Sequence, residues 1–155
     1  MNNGKIQAVQ DQEITLESNT AAIPFAITDI RTRSAINCRG WMLHNDGSAI
    51  FNILEGGYYE ANFGTSVTSN TPGIVALGLF SDGVYVPGTR REVTIGAAGE
   101  WHTISFEKEI AVCCKTNASI TVNSLPTSTY SGGGTTVITD TQIPIIKGAN
   151  FSIER

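Results

Sequence analysis

The segment from Phe51 to Phe63 constrains the fold more than any other part of the sequence, because its side chains alternate in character with a period of two. A period of two predicts a β-strand with one buried face and one face toward water or a partner. Gly56 and Gly57 interrupt the pattern, as a bulge or a corner does in a β-sandwich. Apolar or small residues occupy Phe51, Ile53, Gly57, Tyr59, Ala61 and Phe63, and most positions between them are polar or amphipathic: Asn52, Tyr58, Glu60 and Asn62.

Similar short runs of β-branched and aromatic residues recur along the chain, separated by Gly, Pro, Asn and Asp. No stretch has the i, i+3, i+4, i+7 spacing of apolar side chains that predicts an amphipathic helix. The regular spacing of the runs predicts an all-β protein, an antiparallel β-sandwich of the jelly-roll type. The predicted strands are Glu13–Leu16, Ile23–Ile27, Gly40–His44, Ala49–Ile53, Tyr58–Val67, Ile74–Ser81, Val84–Val86, Glu92–Ile95, His102–Cys114, Ser119–Asn123, Thr135–Ile138, Gln142–Ile146 and Phe151–Glu154.

Two turns can be predicted from their residue types. Asn45-Asp46-Gly47 and Asp82-Gly83 each separate two strand-like runs, and Asp-Gly readily adopts the positive φ values of tight hairpin turns. Both are therefore predicted to close β-hairpins. The polar, glycine-rich stretch from Ser124 to Thr136 is predicted to be a surface loop.

The run from Ile74 to Phe80 does not alternate, although an antiparallel strand with one wet face should. The runs from Ile110 to Cys114 and from Ile143 to Ile146 behave similarly. Strands that are apolar on both faces favour burial of one face in the sandwich and of the other against a second subunit. The alternative is a second layer within the chain, such as a loop folded over the sheet.

Composition excludes several classes of protein. The 155 residues fit one domain, and 15% of them are charged, against about 25% in an average globular protein. A net charge of −4 argues against a nucleic-acid surface, which needs clustered Lys and Arg. The start of the chain does not resemble a signal peptide, and the longest apolar run, Gly73 to Phe80, is much shorter than a membrane helix. We therefore expect a protein made in the cytoplasm that does not insert into membranes.

Residues with catalytic or metal-binding chemistry are few. The three cysteines, Cys38, Cys113 and Cys114, have no spacing that forms a zinc site, and we expect them to be buried and reduced. The two histidines, His44 and His102, offer little for a catalytic triad, and no nucleophile-elbow motif is present. We therefore predict no catalytic residue, no metal and no cofactor.

Three segments resemble the C1q/tumour-necrosis-factor jelly roll. AIFNILEGGYYEANFGTSV resembles its G-x-Y strand region, GIVALGLFSDGVYV its central hairpin, and IPIIKGANFSIER its last strand. The composition resembles that of bacterial and phage versions of this fold. The resemblance, which covers about residues 41–155, implies a homotrimer. It assigns to trimer or core packing the residues Tyr59, Phe63, Leu77, Leu79, Phe80, Ile145 and Phe151.

The sequence and this resemblance together lead to a functional hypothesis. We expect residues 33–155 to form the jelly roll and residues 1–32 to form an arm or strand that exchanges contacts with a larger assembly. The expected function is a non-enzymatic phage virion protein, a trimeric capsid decoration or head fibre released by host lysis. Its partners would be copies of itself and the major capsid or another virion protein. The alternative is a tail-tip module that binds host-surface glycans through Tyr85, Trp101 and Tyr130.

Overall fold

The computed structural model describes residues 4–31, 42–113, 117–132 and 135–155, and their regular structure consists of β-strands. Within these residues no helix is long and apolar enough to cross a membrane. In chain order, the strands are Lys5–Gln10 (β1), Ile14–Thr15 (β2), Ile27–Arg31 (β3), Met42–His44 (β4), Phe51–Ile53 (β5), Gly57–Thr68 (β6), Gly73–Ser81 (β7), Val84–Tyr85 (β8), Arg91–Ile95 (β9), His102–Val112 (β10), Ala118–Ser124 (β11), Thr127–Gly132 (β12), Thr135–Asp140 (β13) and Ile145–Glu154 (β14).

Two antiparallel sheets pack face to face. The first sheet has the order β10-β6-β14-β1-β3, and β2 pairs with β14 beside this path. The second sheet has the order β4-β5-β11-β7-β8, and β9 pairs with β7. Strands β12 and β13 form a separate two-stranded hairpin. The predicted all-β, antiparallel sandwich is confirmed.

Aromatic rings fill the space between the two sheets. The rings of Phe51, from the second sheet, and Phe151, from the first, meet edge to face with centroids 4.9 Å apart. Phe25, from the segment between β2 and β3, stacks on Phe151 at 6.0 Å and meets Phe51 at 5.5 Å. Phe63 joins the same cluster and packs against Phe106 at 5.3 Å. Edge-to-face and offset pairs of this kind add to the stability that burial provides.

The segment from Phe51 to Phe63 does not form one interrupted strand. Its first part is β5 in the second sheet, and its second part belongs to β6 in the first sheet. The chain crosses between the sheets at Gly57, which has a φ of +153° that residues with a side chain rarely adopt. The predicted alternation is correct on both sides of this corner, because Phe51, Ile53 and the odd-numbered residues of β6 from Tyr59 to Val67 are buried.

Both predicted hairpins are present. Asp82 and Gly83 have φ values of +51° and +78° and form a two-residue loop between the paired residues Ser81 and Val84. Positive φ at both central residues is the geometry of the tight turn that matches strand twist. The other hairpin pairs β4 with β5, and its longer loop contains Gly47 with a φ of +86°.

Three predictions about local structure are wrong. Strand β1 is missing from the predicted strands, because its six residues, KIQAVQ, form too short a pattern. In the structure it is held between β14 and β3. The region around Ile23 is an irregular segment that places Ile23 and Phe25 in the core, and strand β3 begins only at Ile27. The predicted loop from Ser124 to Thr136 includes β12, which pairs in register with β13.

The second face of β7 is covered by the same chain, so its apolar residues do not indicate a subunit contact. The Leu125 amide donates to the Ala76 carbonyl at 2.9 Å. A Cβ atom added at Gly78 would lie 3.0 Å from the Tyr85 ring and 3.1 Å from the Leu125 side chain. Ala76 and Gly78 are both buried beneath this layer. The structure therefore shows the intrachain layer and contradicts our preference for oligomeric burial of this strand.

The N-terminal residues are part of the sandwich. Strand β1 lies between β14 and β3, and its residues Ile6 and Ala8 are fully buried. The predicted boundary between residues 32 and 33 lies outside the described residues. That this region also contacts a larger assembly stays a prediction.

Replacing Phe151 with Ala should lower the free energy of unfolding by about 3–5 kcal/mol, because it leaves a cavity between the two sheets. Urea denaturation at a fixed protein concentration measures the change. Thr103→Ala, at an exposed position of β10, is the matched control and should change stability by less than about 0.5 kcal/mol. Equal midpoints for the two variants would contradict the central role of the aromatic cluster.

Candidate interaction surface

His44 is held in place by a ring contact and two hydrogen-bonding partners. His44 is buried, and its ring stacks on Phe51 with centroids 4.3 Å apart. Its Nε2 atom lies 2.7 Å from the Ser48 carbonyl oxygen, which can only accept, so Nε2 carries a proton. Its Nδ1 atom lies 2.6 Å from the Thr28 hydroxyl. Both ring nitrogens are thus used to fix the loop between β4 and β5 and to hold that loop against β3.

Cysteine and metal chemistry are also unsupported in the part of the chain that the structure describes. No group of three His, Cys, Asp or Glu side chains there is placed to hold a metal ion. Cys113 is exposed at the end of β10, which corrects the expectation that it is buried. Cys38 and Cys114 lie outside the described residues.

The residues assigned to trimer or core packing divide into two groups. Phe80 is half-buried on the outward side of the second sheet, where its ring meets that of Tyr85 at 6.0 Å. Ile145 is buried on the outward side of β14, where it lies opposite Thr68. The others lie in the core of the sandwich: Tyr59, Phe63, Leu77, Leu79 and Phe151.

The residues predicted to face a ligand lie in different surroundings. The Tyr85 ring packs over Gly78, and its hydroxyl accepts a hydrogen bond from the Arg90 amide at 3.1 Å. Trp101 precedes the first residue of β10, and the Lys147 ammonium lies 4.5 Å from the centre of its ring. One face of the Trp101 ring is therefore taken by a cation within the chain. The side chain of Tyr130 is not among those that the structure describes.

A carboxylate organises the loop next to Trp101. Glu100 Oε2 accepts hydrogen bonds from the backbone amides of Gly96 at 2.7 Å and Ala97 at 3.3 Å. The His102 ring nitrogen Nε2 lies 3.5 Å from the same oxygen. The amide of Gly96 contributes most to lowering the pKa of Glu100, followed by that of Ala97 and by His102. All three stabilise the ionised carboxylate.

The main open surface is the outward-facing side of the first sheet, which we call the outer face. Its central row runs across four strands, from Ser105 to Gly64, Asn150 and Val9. Gly64 contributes no side chain, and its partners in this row, Ser105, Asn150 and Val9, are uncharged. The side chains of the row are exposed or half-buried, so no described segment of the chain covers it.

Apolar side chains lie at two places on this face. Tyr58, near one end of β6, is 71% exposed. Ile27 and Ile30 of β3 are 55% and 41% exposed, and they lie opposite Val9 and Gln7 of β1. A single exposed apolar residue such as Tyr58 is common on protein surfaces, whereas neighbouring ones such as Ile27 and Val9 are typical of a contact surface.

The centre of the outer face also contains an open depression of about 560 Å³ beside Gly64. Its floor is formed by the sheet, and its polar lining comes from Asn62, Asn150, Ser105, Glu107 and Arg91. A depression with this lining can hydrogen-bond a polar group but has no concentrated positive charge. The sequence had not pointed to the outer face as a surface, although the polar residues at even positions of β6 were the available signal.

Comparison with known proteins identifies the fold. No protein-family model and no curated protein matches the sequence. Among solved structures, the globular domain of zebrafish complement 1qA is 10% identical with a TM-score of 0.57, and the match covers 97% of this chain and 94% of that one. A crystal structure of murine APRIL at pH 8.5 is 8% identical with a TM-score of 0.62, covering 99% of this chain and 100% of that one.

At such low identities the similarity shows the fold alone. The resemblance in sequence implied this fold from three short segments, whereas the structural match extends over nearly the whole chain, including β1. The chain therefore has the jelly-roll fold of the C1q and tumour-necrosis-factor domains.

The loop beside Trp101 should respond to acid in a defined direction. Because the folded-state pKa of Glu100 lies below its ordinary value of 4.5, the carboxylate stabilises the loop above that value. The stabilisation is lost as the pH falls through the lowered folded-state pKa. NMR shifts of the Gly96 and Ala97 amides should titrate with a midpoint below 4.5.

Glu100→Gln is the control for this titration. It keeps the shape of the side chain but removes the ionisable group, so the acid-dependent shift of both amides should disappear. A midpoint at or above the ordinary value in the wild-type chain would contradict the hydrogen bonds assigned to Glu100.

Proposed function

We propose that this chain is a non-enzymatic structural module that self-associates as a homotrimer through the outer face of its first sheet. The observation that carries the proposal is the difference between the two sheets. The second sheet is covered around Gly78 by Tyr85 and Leu125, whereas the first sheet presents a central row of uncharged residues that the described chain leaves open.

The fold and the residues on this face support the proposal. C1q and tumour-necrosis-factor domains self-associate as trimers and are not enzymes. Small residues at the centre of a face allow close approach of a partner, and the exposed Tyr58, Ile27 and Ile30 supply apolar area at its margins. Burying such groups contributes about 25 cal/mol for each Å² removed from water.

At a finer level, we propose that the trimer decorates the surface of a phage virion, as a capsid protein or head fibre made in the host cytoplasm and released by lysis. The charge-poor composition and the resemblance to phage versions of the fold support this assignment. Its partner would be the major capsid or another virion protein. Binding of host-surface glycans is the alternative, and Trp101 is its best-placed residue because part of its ring stays exposed.

Co-sedimentation separates these two assignments. The purified chain should pellet with phage capsids that lack it and should remain in solution with host cells. Pelleting with cells but not with capsids, and release by free sugars, would favour the glycan alternative and contradict the proposed role on the virion.

Gly64→Tyr tests the proposed interface. A Cβ atom at this position would make only ordinary contacts, the nearest at 3.8 Å from Asn150, so the variant should fold. The ring would project from the centre of the outer face and block close approach of a second copy. We expect the dissociation constant of the assembly to rise about 100-fold, or about 2.7 kcal/mol, as measured by sedimentation velocity over a range of concentrations.

Thr94→Tyr is the matched control, since it adds the same ring to an exposed position on β9 of the second sheet. It should leave the assembly intact. A wild-type mass for Gly64→Tyr together with dissociation of Thr94→Tyr would place the interface on the second sheet and contradict the proposal. A monomeric wild-type chain at all concentrations would contradict self-association itself.

A further inference from the structure

Three carboxylates form one row across the outer face. Glu60 of β6 lies directly opposite Glu109 of β10 on one side and opposite Glu154 of β14 on the other. All three side chains are exposed on the same side of the sheet. We call these three residues the glutamate row. Directly opposed side chains on neighbouring strands have Cβ atoms about 4.5–5.5 Å apart, and like charges in such pairs repel.

The cations near the row do not neutralise it evenly. Lys5 of β1 lies opposite Glu154, so it reaches one end of the row. Glu109 is three strand spacings, or about 14 Å, from Lys5. This distance exceeds the screening length of about 8 Å at physiological salt. Arg155 lies beside the same three glutamates but is shared with Glu55, because its guanidinium lies 3.3 Å from that carboxylate and donates to the Gly56 carbonyl. Lys5 and Arg155 therefore leave an excess of negative charge on each copy.

An assembly with rotational symmetry concentrates this charge further. When the strands of each copy run along the symmetry axis, the glutamate row of every copy lies at the same height. Three copies then bring nine carboxylates to one level of the interface, with three lysines at the position of Lys5 and three arginines at that of Arg155. Repulsion between copies opposes association over distances comparable with the screening length, and dissolved salt weakens it.

We infer that the glutamate row makes self-association through the outer face dependent on ionic strength, so that the assembly is weak at low salt and tightens as salt screens the carboxylates. The inference rests on the proposed self-association through this face. Ionic strength would then regulate assembly, because the chain would remain dissociated at low salt and associate at high salt. A partner surface rich in Lys and Arg would have the same effect as salt.

Sedimentation velocity of the full chain at 20 mM and 500 mM NaCl tests the inference. Between these conditions the screening length falls from about 20 Å to about 4 Å, and we expect the dissociation constant to fall about tenfold. The double variant Glu60→Gln, Glu109→Gln removes two charges with little change of shape. It should associate at 20 mM NaCl as tightly as the wild type does at 500 mM, and it should lose most of the salt response.

Two further variants control for net charge and sign. The double variant Glu13→Gln, Asp140→Asn makes the same change in net charge away from the row, before β2 and at the end of β13, and should retain the wild-type salt response. Lys5→Gln removes the cation beside Glu154 and should weaken association at low salt. Thermal melts of each variant establish that it is folded.

The outcomes separate this inference from the proposed function. The inference would be overturned if the dissociation constant of the wild type did not change with salt. It would also be overturned if the glutamate double variant had the same salt response as the charge control. Either result would leave self-association intact. A monomeric wild type and a monomeric glutamate variant at every salt concentration would overturn the proposed function as well. A glutamate variant that assembles where the wild type does not would support both.

Discussion

The edge-to-face contact between Phe51 and Phe151 fixes how the two sheets pack on each other. It joins the sheets at the centre of the core, and Phe25 and Phe63 close the space around it. Because side chains alternate along a strand, an inward Phe151 and an inward Phe63 leave their neighbours Asn150 and Asn62 pointing outward. The packing of the core therefore determines which residues form the outer face, and with it the surface available to a partner.

Local features of the fold could be predicted because their causes are local. Alternation gave the buried and exposed sides of β6 correctly, and the Asp82-Gly83 pair identified a turn whose positive φ values require those residue types. Prediction failed where stability depends on a distant strand. Strand β1 has a short, weak pattern that is stabilised by β14, more than a hundred residues later in the chain. Strand β12, which is polar, was missed for the same reason, although most of its partner β13 was predicted as Thr135–Ile138.

For a strand that is apolar on both faces, the sequence could not show what covers the second face, because that cover also comes from other parts of the fold. The sequence from Ile74 to Phe80 establishes that both faces of the strand must be covered, but it does not identify what covers the second one. Leu125 and Tyr85 do so within the same chain. The open surface is therefore on the first sheet, where the glutamate row crosses three strands. Glu60, Glu109 and Glu154 are far apart in sequence, so their proximity appears only from the pairing register.

Local patterns in the sequence were enough to identify the all-β class, several strands, two hairpins and the buried side of β6, because period and turn chemistry act over a few residues. The sequence also carried enough of the C1q/tumour-necrosis-factor pattern to indicate the jelly roll. Three features could be seen only in the folded chain: the change of sheets at Gly57, the covering of the second sheet by the chain itself, and the row of three glutamates on the open sheet. Each of these depends on which strands pair and in what register, because hydrogen bonds between residues distant in sequence select the partners.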